Sequence, residues 1–199
     1  MTAFLVSMTI GQDRPGGEVQ ARSTLRNLQA LPRFQRLCNH YGVTPTYLLT
    51  YPVLQDPITA WLGAQAALGH CELGICLQAW TTPPFEANEN RLTITPLNQL
   101  TGARVQSKLE TLVGAYRQVF GQLPAVHRGD GPDLSGACLQ GLEGLGVAVD
   151  TSATPGYHNE FAGQLDWRAA PESPYFPSRQ DPALRGHSPV LEVPITAGA

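Results

Sequence analysis

The chain has 199 residues and a formal net charge of −3 at pH 7, with 13 basic against 16 acidic side chains. This length is typical of one domain, here residues 1–199, and allows a substantial core. The acidic balance argues against nucleic acid or an anionic membrane as a partner, because both require a basic surface.

The sequence also favours a soluble chain in a reducing compartment. No apolar run approaches the roughly 20 residues that a membrane span needs. The first residues, MTAFLVSMTIGQD, lack a basic region and a cleavage site, so we expect no signal peptide and a cytoplasmic location. The four scattered cysteines are then predicted to be free thiols.

Hydrophobic periodicity predicts strands that alternate with helices. The first helix is predicted to start at an N-cap at Ser23 and to kink or break at Pro32. The second helix follows Asp56-Pro57, the third covers 105–120, and the fourth is predicted to be capped by Asp133. An irregular stretch, 154–188, precedes the last strand. The predicted strands span residues 3–10, 43–51, 72–77, 124–128, 146–149 and 190–195.

This alternation indicates a parallel sheet with right-handed crossovers. No strand is followed by a glycine-rich phosphate loop, which weakens a nucleotide-binding interpretation. A barrel-like α/β fold, with its functional site at the carboxyl ends of the strands, fits better. The strand at 72–77 opens into a proline-stiffened loop and so brings Cys76 and Gln78 to that end.

Five segments in order resemble the polysaccharide deacetylase family with the NodB homology domain, in particular its WalW-like branch. They are HYGVTPTYLLTYPV (40–53), CELGICLQAWTTPPF (71–85), FGQLP (120–124), LEGLGVAVDTSATP (142–155) and PYFPSRQD with SPVLEVPIT (174–196). The resemblance implies a distorted (β/α) barrel that binds a divalent metal through one Asp and two His. Such a metal activates water to hydrolyse an N- or O-acetyl group.

The metal ligands of the family are replaced in this chain. Its first-strand motif, of the type T-V-D-T-E, aligns with Ser7–Gly11, so Thr9 and Gly11 stand where carboxylates are expected; Asp13 could substitute only with a shifted loop. Cys76 and Gln78 replace the two histidines of G-A-H-L-H-P-W. We therefore expect no bound metal and no cofactor.

Other family positions are kept. Arg128 matches one arginine of the family's F-R-A-G-R motif, and Asp150-Thr151-Ser152 is similar to its D-S-S motif. The family continues beyond the LEVPIT-like strand with a helix and a strand that have no counterpart here. The resemblance thus implies an incomplete (β/α) barrel with open edges, and a homodimer or another protein partner to cover them.

Each candidate residue allows a functional and a structural interpretation. Cys76 is either a nucleophile or metal ligand, or a buried small side chain. As a nucleophile it would belong to a Cys/His/Asp set with His127 and Asp130. Arg128 holds an anionic group, orients a carboxylate, or pairs with Asp150. Five aromatic residues stack on sugar rings, or fill the barrel mouth and cover its missing wall: Trp80, Tyr157, Trp167, Tyr175 and Phe176. The candidate catalytic residues are Cys76, His127, Arg128 and Asp150; the candidate substrate-binding residues are Thr9, Gln78, Trp80, Asp130 and Tyr157.

Three functions remain open from the sequence. The first is a catalytically degenerate deacetylase homologue that keeps the scaffold and a carbohydrate pocket. The second is an active deacetylase or amide hydrolase with rewired ligands. The third is a structural or regulatory subunit that docks a partner through its open edge.

Overall fold

The computed structural model describes residues 4–13, 23–86, 97–131, 133–158 and 166–196. Most of the predicted loops at 11–17 and 86–90 lies outside these residues. Six strands form one sheet in chain order, and every neighbouring pair is parallel. The strands are β1 (Ser7–Ile10), β2 (Thr46–Leu49), β3 (Glu72–Leu77), β4 (Val126–Gly129), β5 (Val149–Asp150) and β6 (Leu191–Glu192).

The sheet is strongly curved. Arg128 Nη2 on β4 donates a hydrogen bond to Ser7 Oγ on β1 at 2.5 Å, although β2 and β3 lie between them. On a flat sheet the two residues would be about 19 Å apart, because three strand spacings and a four-residue offset in register separate them. The sheet therefore curls until β1 and β4 face each other across a concave side. Within the described residues the first and last strands, β1 and β6, do not pair with each other, which makes the fold an incomplete α/β barrel. The outer side of β6 is covered at one position, where Glu192 forms a bridge with Tyr175.

Helices connect the strands on the convex side. They are α1 (Leu31–His40), α2 (Tyr51–Leu54), α3 (Ile58–Ala67), α4 (Gly102–Phe120) and α5 (Gly136–Leu145), with short 3-10 turns at Arg26–Ala30 and Leu97–Gln99. No helix among the described residues is long and apolar enough to cross a membrane.

The break predicted at Pro32 is confirmed. A 3-10 turn precedes α1, and Pro32 lies in the first turn of α1. An N–H at this position has no acceptor within the helix, so the missing N–H of proline loses no hydrogen bond. The predicted N-cap at Ser23 is wrong. The helical segment begins at Arg26, whose N–H donates to Thr24 Oγ1.

Other boundaries differ from the prediction as well, and β1, β5 and β6 are shorter than the predicted strands 3–10, 146–149 and 190–195. Ser135, not Asp133, caps α5, and its Oγ accepts the N–H of Cys138. The second strand ends at Leu49 instead of residue 51, because Pro52 enters the first turn of the unpredicted helix α2. Pro52 has no N–H for a sheet hydrogen bond but suits a helix start.

The main core lies between the convex face of the sheet and the helices. Alternate strand residues such as Tyr47, Leu49, Ile75 and Leu77 point into it and are fully buried. The predicted inner face of α4 is confirmed, with Val105, Leu109, Leu112, Val113 and Tyr116 all buried. All four cysteines are free and buried, as the sequence suggested.

Candidate functional site

Polar side chains converge at the carboxyl ends of the strands, on the concave side of the sheet. Cys76 and Arg128 are register partners on β3 and β4, so their side chains share this face. Thr9 on β1 lies near the Cys76 thiol, and Gln78 and Asp130 continue the same two rows beyond β3 and β4. This end of a parallel α/β sheet is where ligands bind.

Asp130 is held in place by two side chains from the segment after β3. Gln78 Nε2 donates to its Oδ1 at 3.2 Å, and Trp80 Nε1 donates to its Oδ2 at 2.8 Å. Gln78 and Trp80 are only 5% and 2% exposed, whereas Asp130 is partly exposed. Asp130 is thus a preorganised carboxylate at the rim of the barrel.

The turn that presents Asp130 requires a glycine before it. A Cβ on Gly129 would lie 1.7 Å from the backbone oxygen of Asp133, because the chain folds back tightly after β4. The Gly129 N–H is also fixed, since it donates to Ser152 Oγ at 2.9 Å. This local packing sets the direction in which Asp130 leaves the strand.

Arg128 crosses the concave side. Its Nε donates to the backbone oxygen of Thr151 at 2.9 Å, and its Nη2 contacts Ser7 Oγ and Thr151 Oγ1. Burial lowers the pKa of the guanidinium, opposed by the nearby Cys76, Asp150 and Glu192. The guanidinium binds hydroxyl and carbonyl oxygens of Ser7 and Thr151, so the structure does not support the alternative in which Arg128 pairs with Asp150.

Cys76 is a buried thiol in this arrangement. It is fully buried, and its Sγ lies 3.8 Å from the backbone oxygen of Gly129. Burial, reinforced by the charge of Asp130, raises the pKa of the Cys76 thiol far above its usual range. A neutral, buried thiol is a poor nucleophile and a poor metal ligand.

His127 and Asp150 lie on the other face of the sheet. His127 is the register partner of Ile75, which belongs to the convex core, whereas Cys76 faces the concave side. The Nδ1 atom of His127 lies 2.5 Å from Asp150 Oδ2, and both side chains are fully buried. The predicted Cys76/His127/Asp130 set therefore does not form.

Most of the candidate sugar-stacking aromatics are enclosed. Trp80 is buried with its indole turned to Asp130, and Trp167 and Tyr175 are buried as well. Their rings pack inside the protein, as the structural interpretation proposed. Tyr157 is half-buried against the core in the segment after β5, and Phe176 is exposed.

The side chains at the strand ends do not fit a divalent metal. Thr9 and Gly11 supply no carboxylate, Gln78 supplies an amide, and both carboxylate oxygens of Asp130 accept hydrogen bonds. Asp13, the possible substitute, is bound to Thr24 through its Oδ2, which accepts the Thr24 hydroxyl at 2.7 Å. Among the described residues, no three His, Cys, Asp or Glu side chains are grouped as metal ligands would be.

The candidate list omitted two residues that contact Arg128, namely Ser7 and Thr151. Thr151 belongs to the D-S-S-like motif, so that resemblance contained a signal for it. Ser7 contacts Arg128 only because the sheet curls, and no local pattern in the sequence reports the curvature.

Two solved structures share this architecture. A protein from Mycobacterium smegmatis designated a polysaccharide deacetylase aligns with a TM-score of 0.54 at 14% identity, over 83% of this chain and 45% of that chain. The deacetylase domain of BpsB from Bordetella bronchiseptica aligns with a TM-score of 0.51 at 12% identity, over 76% of this chain and 64% of that one. The chain therefore has a polysaccharide deacetylase (NodB-like) fold.

This chain spans less than half the length of the Mycobacterium smegmatis structure and less than two thirds of the Bordetella bronchiseptica domain. The sequence matches no protein-family model and no curated protein.

Proposed function

We propose that this chain is a catalytically degenerate homologue of the metal-dependent carbohydrate deacetylases. The observation that supports this most directly is the chemistry of the strand ends. A neutral buried thiol, an amide and a hydroxyl stand where a metal centre of this fold needs imidazoles and carboxylates. The concave side is instead occupied by hydrogen bonds within the protein.

We further propose that the rim of the barrel retains weak affinity for a carbohydrate. Asp130 is partly exposed, and a carboxylate is a hydrogen-bond acceptor of the kind that binds sugar hydroxyls. Thr9 is also partly exposed and adds a hydroxyl on the opposite strand. A fixed carboxylate beside hydroxyl groups favours a polyhydroxylated ligand over an apolar one.

Acetate release from acetylated chito- and xylo-oligosaccharides, with and without added Zn²⁺ or Co²⁺, tests the loss of catalysis. We expect no release above the protein-free control. Release that depends on the added metal and disappears in Asp130→Asn would replace the proposal with an active hydrolase. One observation favours this alternative, an active hydrolase: Gln78 and Trp80 orient the Asp130 carboxylate.

Binding is measured separately, by calorimetry with the same oligosaccharides. We expect millimolar affinity that Asp130→Asn weakens several-fold. Glu110→Gln, which changes a carboxylate on the exposed face of α4, is the matched control and should not alter it. Binding that is absent, or indifferent to both changes, would leave a structural or regulatory subunit as the better interpretation.

A further inference from the structure

Three buried titratable side chains form a row on the convex face of the sheet, away from the candidate site. His127, Asp150 and Glu192 are register partners on the adjacent strands β4, β5 and β6, so their side chains project to the same side. All three are fully buried. His127 Nδ1 contacts Asp150 Oδ2 at 2.5 Å, which accounts for one end of the row.

The other end of the row is a pair of carboxyl groups. The side chains of Asp150 and Glu192 are neighbours, because the two residues are register partners and project to the same fully buried face of the sheet. Two ionised carboxylates have only acceptors and cannot hydrogen-bond to each other, whereas a carboxyl group that keeps its proton can donate to its neighbour. In a site closed to water, two adjacent negative charges would also repel strongly.

The surrounding donors indicate which group carries the proton. Asp150 receives the backbone N–H of Ser152 on its Oδ1 at 2.9 Å, in addition to the contact with His127. Glu192 accepts the backbone N–H of Ala153 on its Oε1 at 3.0 Å, with the backbone of Ser152 also nearby, and its Oε2 has no hydrogen-bond partner among the described residues. Asp150 therefore receives the stronger set of hydrogen-bond donors, which favours its ionised form, and Glu192 is the partner that carries the proton.

The direction of the pKa shifts agrees with this assignment. Burial and the neighbouring Asp150 raise the pKa of Glu192 well above its usual range. Burial is the largest single influence on Asp150 and raises its pKa, but the hydrogen bond and the charge of His127, together with Glu192 and Ser152, outweigh it and lower the pKa of Asp150.

Strand β6 is joined to the chain that precedes it as well as to β5. Glu192 and Tyr175 exchange backbone hydrogen bonds of 2.8 and 3.0 Å, and Pro177 pairs with Arg185. The Tyr175 hydroxyl donates to the backbone oxygen of Pro182 at 2.7 Å, and its ring is buried. An interaction that stabilises β6 on the sheet therefore also stabilises residues 175–185, which are named here the strap.

We propose that one proton shared by Glu192 and Asp150 fastens β6 and the strap to the sheet, and that its loss at alkaline pH opens this edge of the barrel. This inference does not depend on the proposed function.

The charged and titratable groups around the pair are few. His127 faces it from β4, Tyr175 from the strap, and Cys138 from α5, with Asp133 just before that helix. Arg128 lies on the opposite face of the sheet. Burial raises the pKa values of Tyr175 and Cys138 far above the neutral range, so neither competes for the proton.

The sign of the pH dependence follows from proton linkage. In the closed state Glu192 keeps a proton that a solvated glutamate releases near pH 4.5. The open state therefore binds fewer protons, and opening becomes more favourable as pH rises, until the pKa of the closed pair is reached. For one proton, the opening constant rises up to about tenfold per pH unit.

Native-state hydrogen exchange between pH 7 and 9 measures this opening at the amides of residues 191–193. After correction for the intrinsic rate, we expect their opening constants to rise with pH, while amides of β2 do not respond. Glu192→Gln keeps the acceptor for Ala153 and can donate to Asp150 without a titrating proton, so it should abolish the slope. Glu110→Gln is the exposed control and should retain it.

A flat profile in the unmodified chain, or an unchanged slope in Glu192→Gln, would overturn the proposal. If Glu192→Gln fails to fold, infrared spectroscopy of the unmodified chain tests the shared proton directly. At pH 8 we expect the C=O stretching band of a protonated carboxyl group, and a spectrum that shows only ionised carboxylates would contradict the proposal.

Discussion

Two aspartates that are close in sequence have different surroundings at the strand ends. Asp130 is partly exposed and receives two side-chain hydrogen bonds. Asp133 is buried, its Oδ2 accepts the N–H of Leu97 at 2.5 Å, and its Oδ1 has no partner among the described residues. Burial raises the pKa of Asp133 from 3.8 to about 6.

Asp133 should therefore make stability depend on pH. Between about pH 4 and 6 the folded chain keeps a proton that the unfolded chain releases, so the folded state becomes less stable as pH rises. Asp133→Asn keeps an acceptor for Leu97 and should flatten this decline. Urea unfolding at several pH values measures the effect, and an unchanged decline in Asp133→Asn would contradict the assignment.

At the residue scale, the sequence predicted several of the side chains that lie together at the strand ends, but not their geometry. Cys76, Gln78, Arg128 and Asp130 come together as expected, because parallel strands end at one edge of a sheet. The prediction that His127 joins Cys76 and Asp130 was wrong, because a shift of one position along a strand reverses the face on which a side chain lies. Register with β3 decides that face, and a single sequence does not report the register.

Helix α4 is the element in which sequence and structure agree best. Leu112 is fully buried at the centre of its inner face. Leu112→Ala should cost about 2–5 kcal/mol of unfolding free energy, as large-to-small core substitutions do. Val119→Ala, on the exposed side of the same helix, should change it by less than about 0.5 kcal/mol. Denaturant unfolding measures both, and equal effects would contradict the packing described.

Elements were predictable where local signals and tertiary packing agree. The strand Glu72–Leu77 has the predicted bounds because an apolar run is closed by residues that cannot stay in a sheet. Lys108 shows the opposite case. It is buried on the inner side of α4, and its Nζ donates to the backbone oxygens of Thr82 and Pro84 at 2.7 and 2.8 Å. Helical periodicity alone would assign a lysine to solvent.

At the scale of the whole molecule, the order of elements was enough to predict the fold class. Strands that alternate with helices give a parallel sheet, and the sheet observed runs in simple chain order. The curvature that makes it an incomplete barrel depends on contacts far apart in sequence, such as Arg128 with Ser7. The order of elements, with no glycine-rich phosphate loop, favoured a barrel-like fold, and the family resemblance implied that the barrel is incomplete.

The open edge at β1 leads to a prediction about association. Phe4 and Leu5, just before β1, are 84% and 74% exposed, and edge strands readily pair with other chains. We expect a dimer at micromolar concentration in sedimentation velocity, and Leu5→Lys should shift it toward monomer. Leu68→Lys, at an exposed position after α3, should not. A stable monomer of the unmodified chain would remove the support for a partner at this edge.

The central claim is that the strand ends have exchanged a metal centre for a hydrogen-bonded polar network. Equilibrium dialysis against Zn²⁺, followed by elemental analysis of chain purified without chelator, tests it most directly. Because Cys76 is a neutral buried thiol and Asp130 is the lone carboxylate of this described network, we expect far less than one zinc per chain, unaffected by Cys76→Ala. One tightly held zinc per chain, lost in Cys76→Ala or Asp130→Asn, would contradict the account.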